Sequence, residues 1–475
     1  MRLLPLLFAL LATTAIAEPA QDTWMSVLLG GRKVGSMHTL REVHGDRVVT
    51  TQTMLIELDR AGTRVALSTS ETDEETLDGE PLAFESRTVL SGNETRVRGS
   101  VRGGRIEVHS SVAGVKQTRT VDWPKGALLA EGLRLAEERA GTARGTRYTN
   151  LAFQPDVLDA IAIDSTIGDT AAVDLPDGKR TLTRIDQVVR LPGAPVKSIA
   201  WIDEEENIAK LVMPVMGYEL TMLACSKECA LAPNQSTDIL VHSLVPAPRP
   251  LGADERSHGL KLRLRASDGG EPLDFARTDE QDVAADATGV ELTVGPADSA
   301  RTAREQPPDA SDLRANDWLQ TKAPEIVALA RKGAGDAHGE AEQMQRLEDF
   351  VRAYIRTKDL NVGYASALEV ARRPEGDCTE HAVLLAALGR ARGIPTRVVD
   401  GIVYTEHYAG RDHVFVPHAW VQAYVDGRWR SFDAALRGFD AGHLALSFGD
   451  GDPWKFFAGF NALGRMQIES VEALP

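Results

Sequence analysis

The stretch RRPEGDCTEHAVLLAALGRARGIPTRVV, Arg372 to Val399, decides how the chain is read. A Pro-Glu-Gly-Asp turn leads into an apolar run that is long enough for a helix. Asp377 carries an N-cap side chain, and Glu380 stands three positions on, the spacing of a capping box. Arg390 and Arg392 fall in the last turn, and Gly393 and Pro395 end it. Cys378 is therefore expected at the first helical position. There the unpaired N–H groups and the positive end of the helix dipole favour a thiolate, the more so beside a protonated imidazole. A structural cysteine gains nothing from that placement, although a buried small residue is the plain alternative.

A thiol nucleophile needs an imidazole base, and the base needs an orienting carboxylate or amide. Both stand in PHAWVQAYVDGRWRSFDAAL, where Asp426-Gly427 is a two-residue hairpin turn between alternating strands. That turn pairs Val425 with Arg428, Tyr424 with Trp429, Gln422 with Ser431 and Trp420 with Asp433. His418 and Asp433 then share a face as diagonal neighbours, about 7–8 Å apart at the backbone and within reach of a hydrogen bond. A slip of one residue would put them on opposite faces.

These residues carry a resemblance. GDCTEHA, ARGIPTRVV, HAW and GRWRSFDA resemble the core of the transglutaminase-like superfamily, whose catalytic arrangement is papain-like. The resemblance runs from about Trp318 to Phe448. It implies helices packed on an antiparallel sheet, a triad of Cys378, His418 and Asp433, and acyl transfer at an amide or peptide bond. It implies no cofactor and no metal. Gln422 departs from the pattern, since relatives often carry an acidic residue there.

The rest of the chain has a different character. The 475 residues allow two or three domains, and the formal charge of −16 with no Lys/Arg stripe argues against a nucleic-acid binder. MRLLPLLFALLATTAIA has a short basic start, an apolar run and a small-x-small close, which reads as a signal peptide over residues 1–17. The expected protein is exported to the periplasm or beyond. No lasting membrane span is expected, and the expected substrate is a peptide or protein, with the cell envelope as one source. In such a compartment Cys225 and Cys229 pair locally and Cys378 is left over.

Residues 18–243 read as an antiparallel β-rich domain interrupted by one helix that stops at Gly141. The sequons at Asn93 and Asn234 are taken as chance. Residues 244–300 read as a proline-rich linker and a small β module, 301–315 as a second linker, and 316–475 as the α+β catalytic domain. Thr405 to Pro417 reads as a loop, either a lid or ordinary surface.

Two other readings compete with the triad. Cys378 and His381 at i and i+3, with His407, His413 and His418, could form a zinc site, though no compact ligand spacing supports it. Alternatively, the domain only binds or scaffolds in the cell envelope.

Overall fold

The computed structural model describes residues 21–60, 63–112, 114–190, 195–215, 217–238, 243–267, 273–296, 305–357, 364–452 and 460–474. The expected signal peptide lies outside them, as do residues 301–304 of the expected second linker. No helix among the described residues is long and apolar enough to cross a membrane.

Residues 21–224 form one 15-stranded sheet. Eight strands meander from Gln21 to Asp122, and seven more return from Ala127 to Ala224. The two runs join where Gln21–Leu29 pairs with Tyr218–Ala224. Alternation gives each strand one apolar face, and the sheet curls so that these faces meet. Phe84 of one run packs on Phe153 of the other, with ring centroids 4.9 Å apart, and Trp123 stacks on Phe153.

The helix Ala130–Ala140, stopped at Gly141, closes one end of the curl. Its first N–H groups lack helical acceptors, and strand carboxylates supply them. Glu75 accepts from the backbone of Glu131 and Gly132, and Asp73 from Ala130. Next in the chain, Cys225 and Cys229 form a disulfide at the short helix Lys227–Ala230.

The C-terminal domain is α+β. Four helices, Pro324–Ala334, Glu340–Tyr354, Ala367–Arg372 and Cys378–Ala391, pack on an antiparallel sheet of five strands. In the second helix Met344, Leu347 and Val351 are buried at helical spacing, as the sequence pattern requires. The Cys378 helix is central, buried on every face from Thr379 to Arg390.

The sequence reading gave 244–300 to a linker and a small β module, and one hydrophobic cluster runs through that segment into the helices. Val245–Pro246 adds an edge strand beside Phe415. Leu260–Ala266, Gln281–Asp286 and Gly289–Val294 form a second sheet with Met466–Ala473. Asp279 and Glu280 reach the first sheet's edge. They accept the backbone N–H groups of Trp429 and Ser431, which no further strand pairs. In the stretch read as a second linker, Glu305 pairs with Arg397, and the Gln306 carbonyl accepts from the Trp429 indole.

The segment read as a loop, 405–417, is a continuation of two strands. Thr396–Tyr408 and Arg411–Val425 stay in register down to His407 opposite Asp412, and the chain reverses at Ala409-Gly410.

Candidate active site

Cys378 is the first residue of its helix. The Asp377 carboxylate accepts from the backbone N–H of Thr379 at 2.8 Å, and Glu380 accepts from that of Asp377 at 2.8 Å. The other Glu380 oxygen accepts from Ala365 N–H, also at 2.8 Å, which ties the helix start to the preceding loop. Burial and the neighbouring Asp377 charge push the Glu380 carboxyl up to about 8. The thiol is partly exposed and outside the disulfide. Its helix packs against the strand Arg411–Val425, which carries His418.

On that strand the hairpin pairs Val425 with Arg428, Tyr424 with Trp429 and Gln422 with Ser431. Beyond Phe432 the chain leaves the sheet, and Asp433 turns under His418. His418 Nε2 and Asp433 Oδ2 are 2.7 Å apart, and both side chains are buried. The Trp420 ring lies near His418, with centroids 6.1 Å apart. It passes over Gly401, the cross-strand partner of His418, where a Cβ would stand 2.5 Å from the indole. Glycine is needed there for the close approach.

The structure adds a residue that the sequence reading did not single out. His443 Nε2 lies 3.1 Å from the same Asp433 oxygen, while its Nδ1 faces Asp440. Burial alone would lower the His443 imidazole. Hydrogen bonds to Asp433 and Asp440, with their charges, outweigh it and raise the ring to about 9. Burial likewise pushes Asp433 up, but His418 and His443 hold its carboxyl well below the usual range. Its other oxygen accepts from the backbone N–H groups of Ala435 and Leu436. Its own N–H is held by Glu348, a buried carboxyl pushed up to about 7.

The residues of the zinc reading are not brought together. His407 pairs with Asp412, and His413 Nδ1 faces the Tyr404 hydroxyl. His407 lies six ladder positions from the residue opposite His418, roughly 20 Å at strand rise. His381 is buried with Nδ1 against the Asp377 carbonyl. His418, Asp433 and His443 stand within 4.8 Å of one another, close enough to hold a cation. The hydrogen bonds they make account for the cluster without one.

Gln422 bridges Arg397 and Glu280: its carbonyl accepts from the guanidinium at 2.7 Å, and its amide faces Glu280 at 3.3 Å. Glu280, from a distant segment, thus stands against Gln422.

Residues 327–434 match the transglutaminase-like superfamily. No curated protein matches the chain. Solved structures similar to the chain include the following three. One is a candidate cysteine protease of Cytophaga hutchinsonii, at 16% identity and TM-score 0.29 over 46% of this chain and 85% of that one. Another is a β-barrel-like protein of unknown function from Brucella abortus, at 14% identity and TM-score 0.34 over 43% and 96%. The third is a candidate protease of Parabacteroides distasonis, at 12% identity and TM-score 0.20 over 76% and 69%.

Proposed function

We propose that this chain, which carries a transglutaminase-like superfamily domain over residues 327–434, is an exported cysteine enzyme that transfers acyl groups from amide or peptide bonds. The observation that carries the reading is the buried His418–Asp433 hydrogen bond on the strand against which the Cys378 helix packs.

Because Asp433 engages His418 Nε2, the nitrogen that serves the thiol is Nδ1. The Cys378 thiolate attacks the carbonyl carbon, and the oxyanion is met by the Cys378 backbone N–H at the helix start. As the tetrahedral intermediate collapses, the C–N bond breaks. The amine leaves with the proton that His418 held, and a thioester remains. His418 then removes a proton from the acceptor, which attacks the thioester and releases the thiol. Water as acceptor gives hydrolysis, and an amine gives a cross-link. Asp433 keeps His418 in one tautomer throughout. The signal-like sequence of residues 1–17 supports export.

The test is the rate of Cys378 alkylation by iodoacetamide near pH 7. His418→Ala should slow it at least tenfold, since the thiolate loses its imidazolium partner. Equal rates in the two proteins would refute the catalytic reading and leave a binding or scaffold protein. Incorporation of a primary-amine probe into a protein substrate separates cross-linking from hydrolysis. Recovery of the protein in the cell-envelope fraction tests export.

A further inference from the structure

The two edges of the 15-stranded sheet are treated differently. At one, Arg147–Gln154 is partly covered by the short parallel strand Ala127–Leu128 and by the helix Ala130–Ala140. At the other, Val115–Asp122 pairs only with Arg105–Val112. Just beyond that strand the Trp123 N–H donates to the Gly104 carbonyl, which fixes the alternation of the ladder. The odd-numbered residues from Val115 to Val121 therefore bond inward. Lys116, Thr118, Thr120 and Asp122 turn their N–H and C=O groups to the open side. Among the described residues, no backbone group bonds to these four from that side. Their side chains are exposed on one face of the sheet, where the Thr118 hydroxyl meets His109 of the neighbouring strand.

A row of open N–H and C=O groups is a template for another strand. Lysine on an edge repels most comers, and Lys116 would serve that purpose alone. The charges along this strand nevertheless select one partner, which is the strand itself. An antiparallel copy centred on Arg119 sets Lys116 opposite Asp122 and Thr118 opposite Thr120, each twice by two-fold symmetry. Outward groups then meet outward groups along the whole strand. A shift of one residue sets outward groups against inward ones, and a shift of two loses both Lys116–Asp122 pairs. Asp122 can take a second cation, since its side chain is 90% exposed and Arg105 stands 3.7 Å away. On the other face Arg119 meets its own copy, and each guanidinium is drawn aside to Asp317 of its own chain at 3.4 Å.

We propose that Val115–Asp122 is a self-association edge, on which a second copy of this chain pairs antiparallel about a two-fold axis at Arg119 and joins the two sheets into one. A single strand pair is a small interface, so the dimer is reversible. It stands apart from the thiol chemistry.

Sedimentation velocity of the full chain over a concentration series tests it. The parent should pass from monomer to dimer as concentration rises. Lys116→Glu sets like charges opposite each other at both ends and should weaken the dimer about tenfold. Asp122→Lys should do the same, and the two substitutions together should restore the parent's affinity. Thr118→Pro removes an outward N–H and spares the bonds to the neighbouring strand, so it should give a monomer with unchanged circular dichroism. Cys378→Ala should dimerise as the parent does. A parent that stays monomeric at every concentration overturns the proposal, as does a dimer that survives Thr118→Pro. So does a double variant no tighter than the single ones, which would rule out this register. Uptake of a labelled octapeptide of alternating valine and threonine by a monomeric parent, lost in Thr118→Pro, would make the edge a peptide site and likewise overturn it.

Discussion

Asp433 shares one oxygen between two imidazoles, and its other oxygen takes two backbone N–H groups. The two histidines are not equivalent. His443 is enclosed between Asp433 and Asp440 and stays charged through neutral pH, so it acts as a positioning residue that keeps Asp433 ionised. Its raised value means that its contribution to stability is complete below the ordinary 6.5 and lost as the pH rises through about 9. Denaturation midpoints of the parent should therefore fall between pH 6.5 and 9. His443→Gln, which donates without titrating, should flatten that slope while retaining fast Cys378 alkylation. His443→Ala should slow alkylation severalfold. An unchanged pH slope in His443→Gln would count against the role. The placement of Cys378 at a helix start and of His418 beside Asp433 was legible in the sequence because a helix cap and a hairpin turn are local signals. His443 was not, because it arrives through the pairing of His443–Gly449 with Thr396–Tyr408, a ladder with a bulge between Asp400 and Gly401. No short pattern encodes that contact.

At the scale of elements, the helix Cys378–Ala391 and the Val425–Arg428 hairpin stand where cap and turn chemistry put them. Glu380 does more than the capping box required. It is fully buried and satisfies the N–H groups of both Asp377 and Ala365. Glu380→Ala orphans two buried donors and should cost about 2–4 kcal/mol in urea denaturation. A loss below ~1 kcal/mol would show that the helix start is held by other means. The 405–417 segment was misread because its turn is Ala409-Gly410, with φ of 47° and 76°. A turn with two positive φ values is signalled by Asn-Gly or Asp-Gly, and alanine gives no such warning. The Asp426-Gly427 turn, at 54° and 76°, carried the usual signature and was read correctly.

Across the whole molecule, the β-rich and α+β halves were legible from alternation and from the change of pattern near Asn316. The boundary between them was less so. Proline-rich LVPAPRPLG looks like a linker, yet Val245 pairs with Phe415, and Leu251 N–H donates to the Tyr404 hydroxyl. A proline is tolerated at the edge of a sheet, so composition alone misleads there. The second sheet carries a consequence for the order in which the protein becomes itself. Leu260–Ala266 lies between Gly289–Val294 and Met466–Ala473, and the Arg249 guanidinium donates to the Val471 carbonyl across 222 residues. Such a non-local pairing forms late, because the intervening chain must be closed into a loop before any contact rewards it. The thiol can be synthesised, capped and folded onto its helix while the second sheet, which shares one core with that helix, still lacks a strand. Deleting residues 466–474 should leave the N-terminal sheet protected from proteolysis while the region around Cys378 is cut. Equal protection of both would mean that the last strand only trims an edge. The late arrival of Met466–Ala473 thus works as a clock: the second sheet closes only after the segments that carry Cys378, His418 and His443 have all been made.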